Sequence, residues 1–294
     1  MNNRVVVLTL TYNRPNNIKT LFGTLKEQTC KNFTWYIVND GSTEDYMPII
    51  EEIKSEAQFD VVYEKKENGG KSAAINYALD KLNADDFVAI IDDDEFLYPD
   101  AIEKLLSYEG RYRKTNVGLI NFTRDDMNGV PMSKPIMKED FVMSVQAHKR
   151  HKYFTDGYLA YFMDKLGKCR FPIFKGEKYV GPSVLMMLAS KEHDILWSCT
   201  SLGYTDYLEG GLTKKGRQLR LKNPKGMAFR CLQMQTTDSG WKNRFIYSIQ
   251  YFAYMKIAGS LEKERLGISD KNLFMPIVSR VLGFFLYKWW INAK

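Results

Sequence analysis

The sequence predicts an α/β fold, a mostly parallel central sheet flanked by helices, followed by a helical C-terminal region. Three observations carry this. A unit of apolar strand, polar loop and amphipathic helix recurs four times between Val5 and Leu106. The strands are continuous apolar runs, as strands covered on both faces are. Charge is divided: of 42 Lys and Arg and 35 Asp and Glu, 16 basic and 4 acidic residues lie from Gly211 onward, so this segment carries +12 and the rest −5.

Val5-Val6-Val7-Leu8 is rich in β-branched residues and reads as the first strand, ended by the polar turn Thr11 to Pro15. Ile18, Leu21, Phe22 and Leu25 follow at i, i+3, i+4 and i+7, one helix face, with Pro15 suited to its first turn. Trp35-Tyr36-Ile37-Val38 is the second strand, closed by Asn39-Asp40-Gly41-Ser42, and Pro48, Ile49, Ile50 and Ile53 mark the next helix. Val61-Val62-Tyr63 is the third strand; Asn68-Gly69-Gly70-Lys71 then opens a helix with Ile75, Ala78, Leu79 and Leu82 on one face. Phe87 to Ile91 is the fourth strand and ends on Asp92-Asp93-Asp94-Glu95, before Pro99, Ala101, Ile102, Leu105 and Leu106 continue as helix. Val117 to Phe122 is a further strand, after which the pattern loses its period.

With 294 residues, 45% hydrophobic and 26% charged, the chain can bury a core without staples, and disordered or low-complexity readings fail. Cys30, Cys169, Cys199 and Cys231 form no Cys-x-x-Cys pair, which excludes zinc ribbons and thioredoxin-like motifs and points to a reducing compartment. The N-terminus does not resemble a signal peptide, and Arg280 and Lys288 interrupt the apolar C-terminus. The expectation is a cytoplasmic protein whose membrane contact is peripheral.

Ligands of parallel sheets bind beyond the carboxyl ends of the strands, so these polar loops converge. Asp92 to Glu95 place four like charges together, a repulsion that a divalent ion such as Mn²⁺ or Mg²⁺ resolves; the alternative is a solvated acidic turn or a helix start. Asp40 is either a helix start or an acceptor for a nucleobase N–H. Asn68 to Lys71 is either an ordinary turn or a phosphate cradle, without the spacing of a P-loop or a dinucleotide fingerprint. The histidines show no metal-ligand spacing, and His148-Lys149-Arg150-His151-Lys152 is either a solvated face or a surface for an anionic acceptor.

Taken in order, these segments closely resemble the catalytic domain of glycosyltransferase family 2, the nucleotide-sugar enzymes with the GT-A fold. The residues that carry the resemblance are Leu10-Thr11-Tyr12-Asn13-Arg14, Leu25 and Gln28, Phe33 through Ile37-Val38-Asn39-Asp40-Gly41-Ser42, Asn68-Gly69-Gly70-Lys71 with Ala74 and Asn76, and Asp92-Asp93-Asp94. It extends more weakly toward residue 210 in bacterial surface-polysaccharide members. The family usually has Pro at position 10 and Asp at position 39; Leu10 and Asn39 stand here, and the Asp40 carboxylate is kept.

The resemblance implies inverting, metal-dependent transfer of a sugar from a nucleotide donor, most often a UDP-sugar. Thr11 and Tyr12 would line the base pocket, Asp40 read the uracil edge, and Asn68 and Lys71 flank base and phosphates. Asp92 and Asp93 would belong to the nucleotide-sugar site, with Asp93 on the ribose or sugar, and Asp94 would bind Mn²⁺ or Mg²⁺. The general base is Glu177, or Asp156, or is missing, because Pro182-Ser183 stands where resembling enzymes read Pro-Glu; Glu177 is preferred. The alternative is a nucleotide-sugar-binding protein with little or no turnover.

The expected division is a GT-A-like catalytic domain over 1–210 and a basic, aromatic-rich helical region over 211–294. In the latter, Trp241 to Tyr254 and Phe274 to Trp290 gather aromatics beside cations, which suits an anionic membrane surface or an oligomer interface. Basic and aromatic interleaving also suits single-stranded nucleic acid, but no motif supports that partner. The expected acceptor is a growing bacterial surface glycan carried on a lipid diphosphate.

Overall fold

The computed structural model describes residues 4–132, 139–143, 157–205, 212–236, 240–259 and 273–292. Its strands are β1 (Arg4–Thr11), β2 (Phe33–Asn39), β3 (Asp60–Lys65), β4 (Asp86–Ile90), β5 (Glu95–Leu97), β6 (Val117–Asp125), β7 (Phe141–Met143), β8 (Tyr158–Phe162) and β9 (Asp194–Thr205). The helices are α1 (Pro15–Lys26), α2 (Met47–Glu56), α3 (Lys71–Leu79), α4 (Ala101–Tyr112), α5 (Met163–Leu166), α6 (Ser183–Ala189), α7 (Leu212–Lys222), α8 (Pro224–Thr236), α9 (Gly240–Ala258) and α10 (Pro276–Asn292).

Two compact units result. One comprises Met1–Met143, Tyr153–Lys168 and Glu192–Leu208; the other comprises Ser144–Lys152, Cys169–Lys191 and Glu209–Lys294. Residue 210, where the sequence reading divides the chain, lies outside the described residues, and the second unit also takes in Cys169–Lys191.

The first unit holds a nine-stranded sheet in the order β3-β2-β1-β4-β8-β6-β9-β5, with β7 on β9. The four strands β3-β2-β1-β4 are parallel throughout. Beyond β4 the sheet is mixed: β8 runs antiparallel between β4 and β6, β6 and β9 are parallel, and β5 and β7 pair antiparallel with β9. The parallel arrangement read from the sequence therefore holds where the motifs lie and gives way beyond it. Nothing in the local pattern of β8 encodes that it returns beside β4.

The core forms where periodicity places it. Ile18, Leu21, Phe22 and Leu25 of α1 are all buried, and the Phe22 ring stacks on Trp35 at 6.1 Å. Each such side chain withdrawn from water contributes about 2 kcal/mol before chain entropy is counted. Trp35 is fully buried and its indole N–H donates to Thr9 Oγ1 at 3.0 Å, so the polar edge of the ring is not left unpaired. Helix α3 ends at Leu79, one turn earlier than a face including Leu82 implies.

In the second unit the two aromatic stretches lie on α9 and α10. The side chains of Gln235 and Ser248 join across α8 and α9, Ser248 Oγ donating to Gln235 Oε1 at 2.7 Å, and the Phe274 N–H donates to Ser248 Oγ at 2.9 Å. No described helix is long and apolar enough to cross a membrane.

Candidate functional site

Strands β1, β2 and β4 run side by side, with Thr11 opposite Asn39 and Leu8 opposite Ile90, so the loops leaving their carboxyl ends emerge together. Thr11 donates its hydroxyl to Asp93 Oδ2 at 3.0 Å. Its one hydrogen being used there, the Tyr46 hydroxyl at 2.9 Å donates to Thr11 and accepts the Arg14 N–H at 2.7 Å. Arg14 Nη1 donates to Asp93 Oδ1 at 3.1 Å and lies 3.5 Å from Asp94 Oδ2. Between them, Asn13 adopts a left-handed φ of 53°. That turn lets its N–H donate to Ser42 Oγ at 2.8 Å while its Oδ1 accepts from the Thr43 N–H at 2.9 Å, which ties the β1 loop to the β2 loop. Tyr12 is 48% exposed.

Asp40 is buried and fully occupied. Its carboxylate accepts from the backbone N–H of Gly69 at 3.0 Å and of Gly70 at 2.7 Å, and pairs with Lys66 Nζ at 2.8 Å. Asn68 Nδ2 donates to the Asp40 carbonyl at 2.7 Å. The glycine-rich turn is thus held by Asp40 itself, whose charge sits at the positive end of α3. Gly41 has φ 75°, and a Cβ there would stand 2.6 Å from the Asn68 nitrogen, so the close approach of the two loops requires glycine.

Lys71 opens α3, where a cation opposes the helix dipole. It is held there by Asp92, whose Oδ1 is 2.6 Å from Nζ. Burial would lower the proton affinity of Lys71, but the charge and hydrogen bond of Asp92, with the charges of Glu95 and Asp94, together outweigh it and the net shift is upward. Glu95 is buried against Arg124 and accepts the Asp92 N–H at 2.8 Å, and the Thr205 hydroxyl donates to the Asp94 carbonyl at 3.1 Å. These bonds fix the carboxylate run at its end.

Burial pushes Asp93 up to about 6, against the opposing pull of Arg14 and Thr11. Asp94 is raised by burial and by the like charge of Asp92, opposed by Arg14 and Lys71. Crowded carboxylates of this kind favour a cation. Among the described residues no group of three or more His, Cys, Asp or Glu gathers to hold an ion. The donors nonetheless fit Mn²⁺ or Mg²⁺. Asp94 offers hard oxygen, its side chain is 26% exposed and its pair with Arg14 is long, and such ions are commonly held by one or two carboxylates plus substrate phosphates.

Glu177 lies in the second unit. Its Oε1 accepts the Lys225 N–H at 2.8 Å and its Oε2 the Gly226 N–H at 2.9 Å, so both oxygens cap the start of α8. Both oxygens of the residue expected as the base are thus engaged, and burial, outweighing those two bonds, raises its proton affinity. Ser183 opens α6, and its hydroxyl accepts from Arg230 Nε at 3.3 Å. Asp156 and His148–Lys152 lie outside the described residues.

Thr11 and Arg14 thus meet on Asp93, Arg14 also reaches Asp94, Lys71 is joined to Asp92, and Asn68 to Asp40. Arg14, Tyr46 and Lys66 are the residues that the sequence reading did not single out as site residues. Lys66 follows directly on the carboxyl end of β3 and Arg14 lies within the first motif, so strand topology was the signal that could have found both.

The family model described as Glycosyl transferase family 2 matches residues 6–170, more than half of the chain. The chain belongs to glycosyltransferase family 2. Among curated relatives, "Glycosyltransferase GlyA" of Streptococcus pneumoniae is 31% identical over 105 residues, 36% of this chain and 15% of that protein. "Putative glycosyltransferase EpsH" of Bacillus subtilis is 32% identical over 122 residues, 41% of this chain and 34% of that protein. The matches thus span a minor part of these relatives' length. Among solved structures, S. aureus TarS 1-349 in complex with UDP-GlcNAc superposes with a TM-score of 0.65 at 15% identity, covering 98% of this chain and 81% of that one. The mannosyltransferase PcManGT of Pyrobaculum calidifontis, in complex with GDP-Man and Mn²⁺, does so with 0.59 at 14% identity, covering 97% and 87%. At these identities the likeness is one of fold, and the fold is GT-A-like.

Proposed function

We propose that this chain transfers a sugar from a nucleotide donor, a UDP-sugar, to a hydroxyl of a growing bacterial cell-surface glycan, with inversion and with the help of a divalent ion. The observation that carries the reading is the convergence of Thr11, Arg14, Lys71 and Asp92–Asp94 beyond the ends of β1 and β4 in a family 2 member. Structures of the same fold in complex with UDP-GlcNAc, with UDP and with GDP-Man support a nucleotide-sugar donor. An acceptor carried on a lipid diphosphate would meet the chain at the inner face of the cell membrane.

In this reading Thr11 and half-exposed Tyr12 line the base pocket. Asn68 and Asp40 hold the loop beneath the base, and Asp40 reads the uracil edge by exchanging one of its present donors for the base N–H. Lys71 and Arg14, now neutralised by Asp92 and Asp93, turn toward the diphosphate. Asp93 accepts from the ribose or sugar hydroxyls, and Asp94 holds Mn²⁺ or Mg²⁺. When bound, that ion would neutralise charge on the departing diphosphate. The acceptor oxygen forms its bond to the anomeric carbon as the bond to the diphosphate oxygen breaks, and the hydroxyl proton leaves to a base on the opposite face.

A second reading, a nucleotide-sugar-binding protein with little or no turnover, is favoured by the capping role of Glu177 and by serine at position 183. One experiment separates the two. The full chain is incubated with UDP- and GDP-sugars and Mn²⁺, with an EDTA control, and nucleotide release is measured beside donor binding by calorimetry. Metal-dependent release of UDP supports transfer; binding without release supports the second reading; neither binding nor release overturns both.

A further inference from the structure

Helix α10 meets the rest of its unit along a narrow stripe. Ser279 and Gly283 are buried, and the Trp290 ring lies 4.6 Å from that of Tyr254 on α9. A Cβ on Gly283 would stand 2.7 Å from Phe252 Cβ and 2.8 Å from the Ile249 carbonyl oxygen, so the two helices touch backbone to side chain at this point. The opposite face is open and apolar. Ile277, Val281, Phe285 and Trp289 form a ridge at every fourth residue, 81% exposed at Ile277 and 63% at Phe285.

Among the described residues, the helices of this region carry charge of one sign. Helices α7 to α10 contain twelve Lys and Arg and not one Asp or Glu. Several of these cations sit beside aromatic rings of α10: the Arg217 guanidinium is 4.5 Å from the Trp289 ring, and Lys288 Nζ is 5.7 Å from that of Phe284. We propose that α10 is an interfacial helix that seats this chain on an anionic lipid surface. The apolar ridge enters the acyl boundary while the flanking cations meet lipid phosphates. A second copy is a poorer occupant, because it would set a like-charged set of helices against this one. Nucleic acid would use the cations but leave the aliphatic ridge in water. No described helix is long and apolar enough to span, which suits a helix that lies in the surface.

The proposal is independent of the transfer reading, because lipid binding is measured without a donor. The full chain is floated with vesicles of phosphatidylcholine alone and of phosphatidylcholine with phosphatidylglycerol. Binding to the mixed vesicles only, weakened by salt, is expected, and the double variant Ile277→Glu/Phe285→Glu should lower the partition coefficient about tenfold or more. Both positions are exposed, and thermal melts check that the variant folds. Should it not, quenching of tryptophan emission by brominated phosphatidylglycerol in the unaltered chain takes its place, quenching being expected. The proposal is overturned by failure to float with anionic vesicles, by a variant that binds them equally, or by absence of quenching. It is also overturned if the vesicles are ignored while the variant disperses a dimer or loses affinity for an oligonucleotide.

Discussion

Arg14 and Asp93 stand 79 residues apart in sequence and meet through Nη1 and Oδ1 at 3.1 Å, directly beneath the end of β1. The pair balances a carboxyl that burial alone pushes toward the neutral form. Arg14→Gln removes that balance and one cation available to a diphosphate. The expected outcome is a fall in kcat/KM of roughly 10- to 100-fold in donor turnover assays. An unchanged kcat/KM would remove Arg14 from the site.

Asp94 is the proposed ion ligand and Lys71 the proposed phosphate contact. Asp94→Ala should abolish stimulation by Mn²⁺, while Lys71→Met should keep the ion dependence and raise the donor KM by about tenfold. Titration of Mn²⁺ into each variant checks this, and a normal Mn²⁺ response in Asp94→Ala would overturn the assignment.

Asp40 accepts two backbone N–H groups and a lysine, so its removal should be felt without any donor present. Asp40→Asn is expected to destabilise the apo protein by about 1–3 kcal/mol, measured by urea unfolding, in addition to weakening donor binding. A residue that only read the base would leave the apo stability unchanged.

Glu177 caps α8 through both oxygens. Glu177→Gln should lower stability by about 1 kcal/mol and change kcat by less than about tenfold. The loss of a general base would cost a hundredfold or more. Comparing unfolding midpoints with single-turnover rates distinguishes a cap from a base.

Glu64 on the edge strand β3 accepts from the Tyr36 hydroxyl at 2.6 Å and from Tyr77 and Lys81. Partial burial would raise its proton affinity, but Lys81 and the two hydroxyls outweigh it and hold the carboxyl below its ordinary 4.5. A depressed folded value gives stability that is complete above the unfolded value and is lost as pH falls through the folded one. Glu64→Gln should therefore lower the urea midpoint near neutral pH and match the parent in strong acid. A difference that persists in acid would show that charge is not the cause.

The parallel half of the sheet was legible because β1, β2 and β4 are largely buried apolar runs and α1 shows a clean 3.6-residue stripe, while the edge strand β3 was marked by its short Val61-Val62-Tyr63 run. Topology brought the carboxyl-end loops together, and the resemblance to glycosyltransferase family 2 named Thr11, Asp40, Lys71 and Asp92–Asp94 within them. The pairings among them could not be named. Whether Asp40 meets a base or the Gly69 and Gly70 N–H groups depends on loop geometry that residue type does not encode. The same holds for Glu177, whose partners at Lys225 and Gly226 are distant in sequence, and for β8, whose place beside β4 has no local signature.

One pairing bears on the order in which the chain acquires its site during synthesis. The short strand Glu95–Leu97 pairs with Gly203–Thr205, and the Thr205 hydroxyl holds the Asp94 carbonyl. As the nascent chain leaves the ribosome, the parallel strands β1 to β4 emerge first, joined by the crossover helices α1 to α3. The carboxylate run can then meet Thr11, Arg14 and Lys71, but the Asp94 carbonyl and the strand Glu95–Leu97 wait for their partners until residue 205 has followed. Closing so long a loop is slow, so a fragment truncated before β9 would retain the parallel sheet and the Lys71 and Arg14 pairs while Glu95–Leu97 and the Asp94 carbonyl lacked their partners.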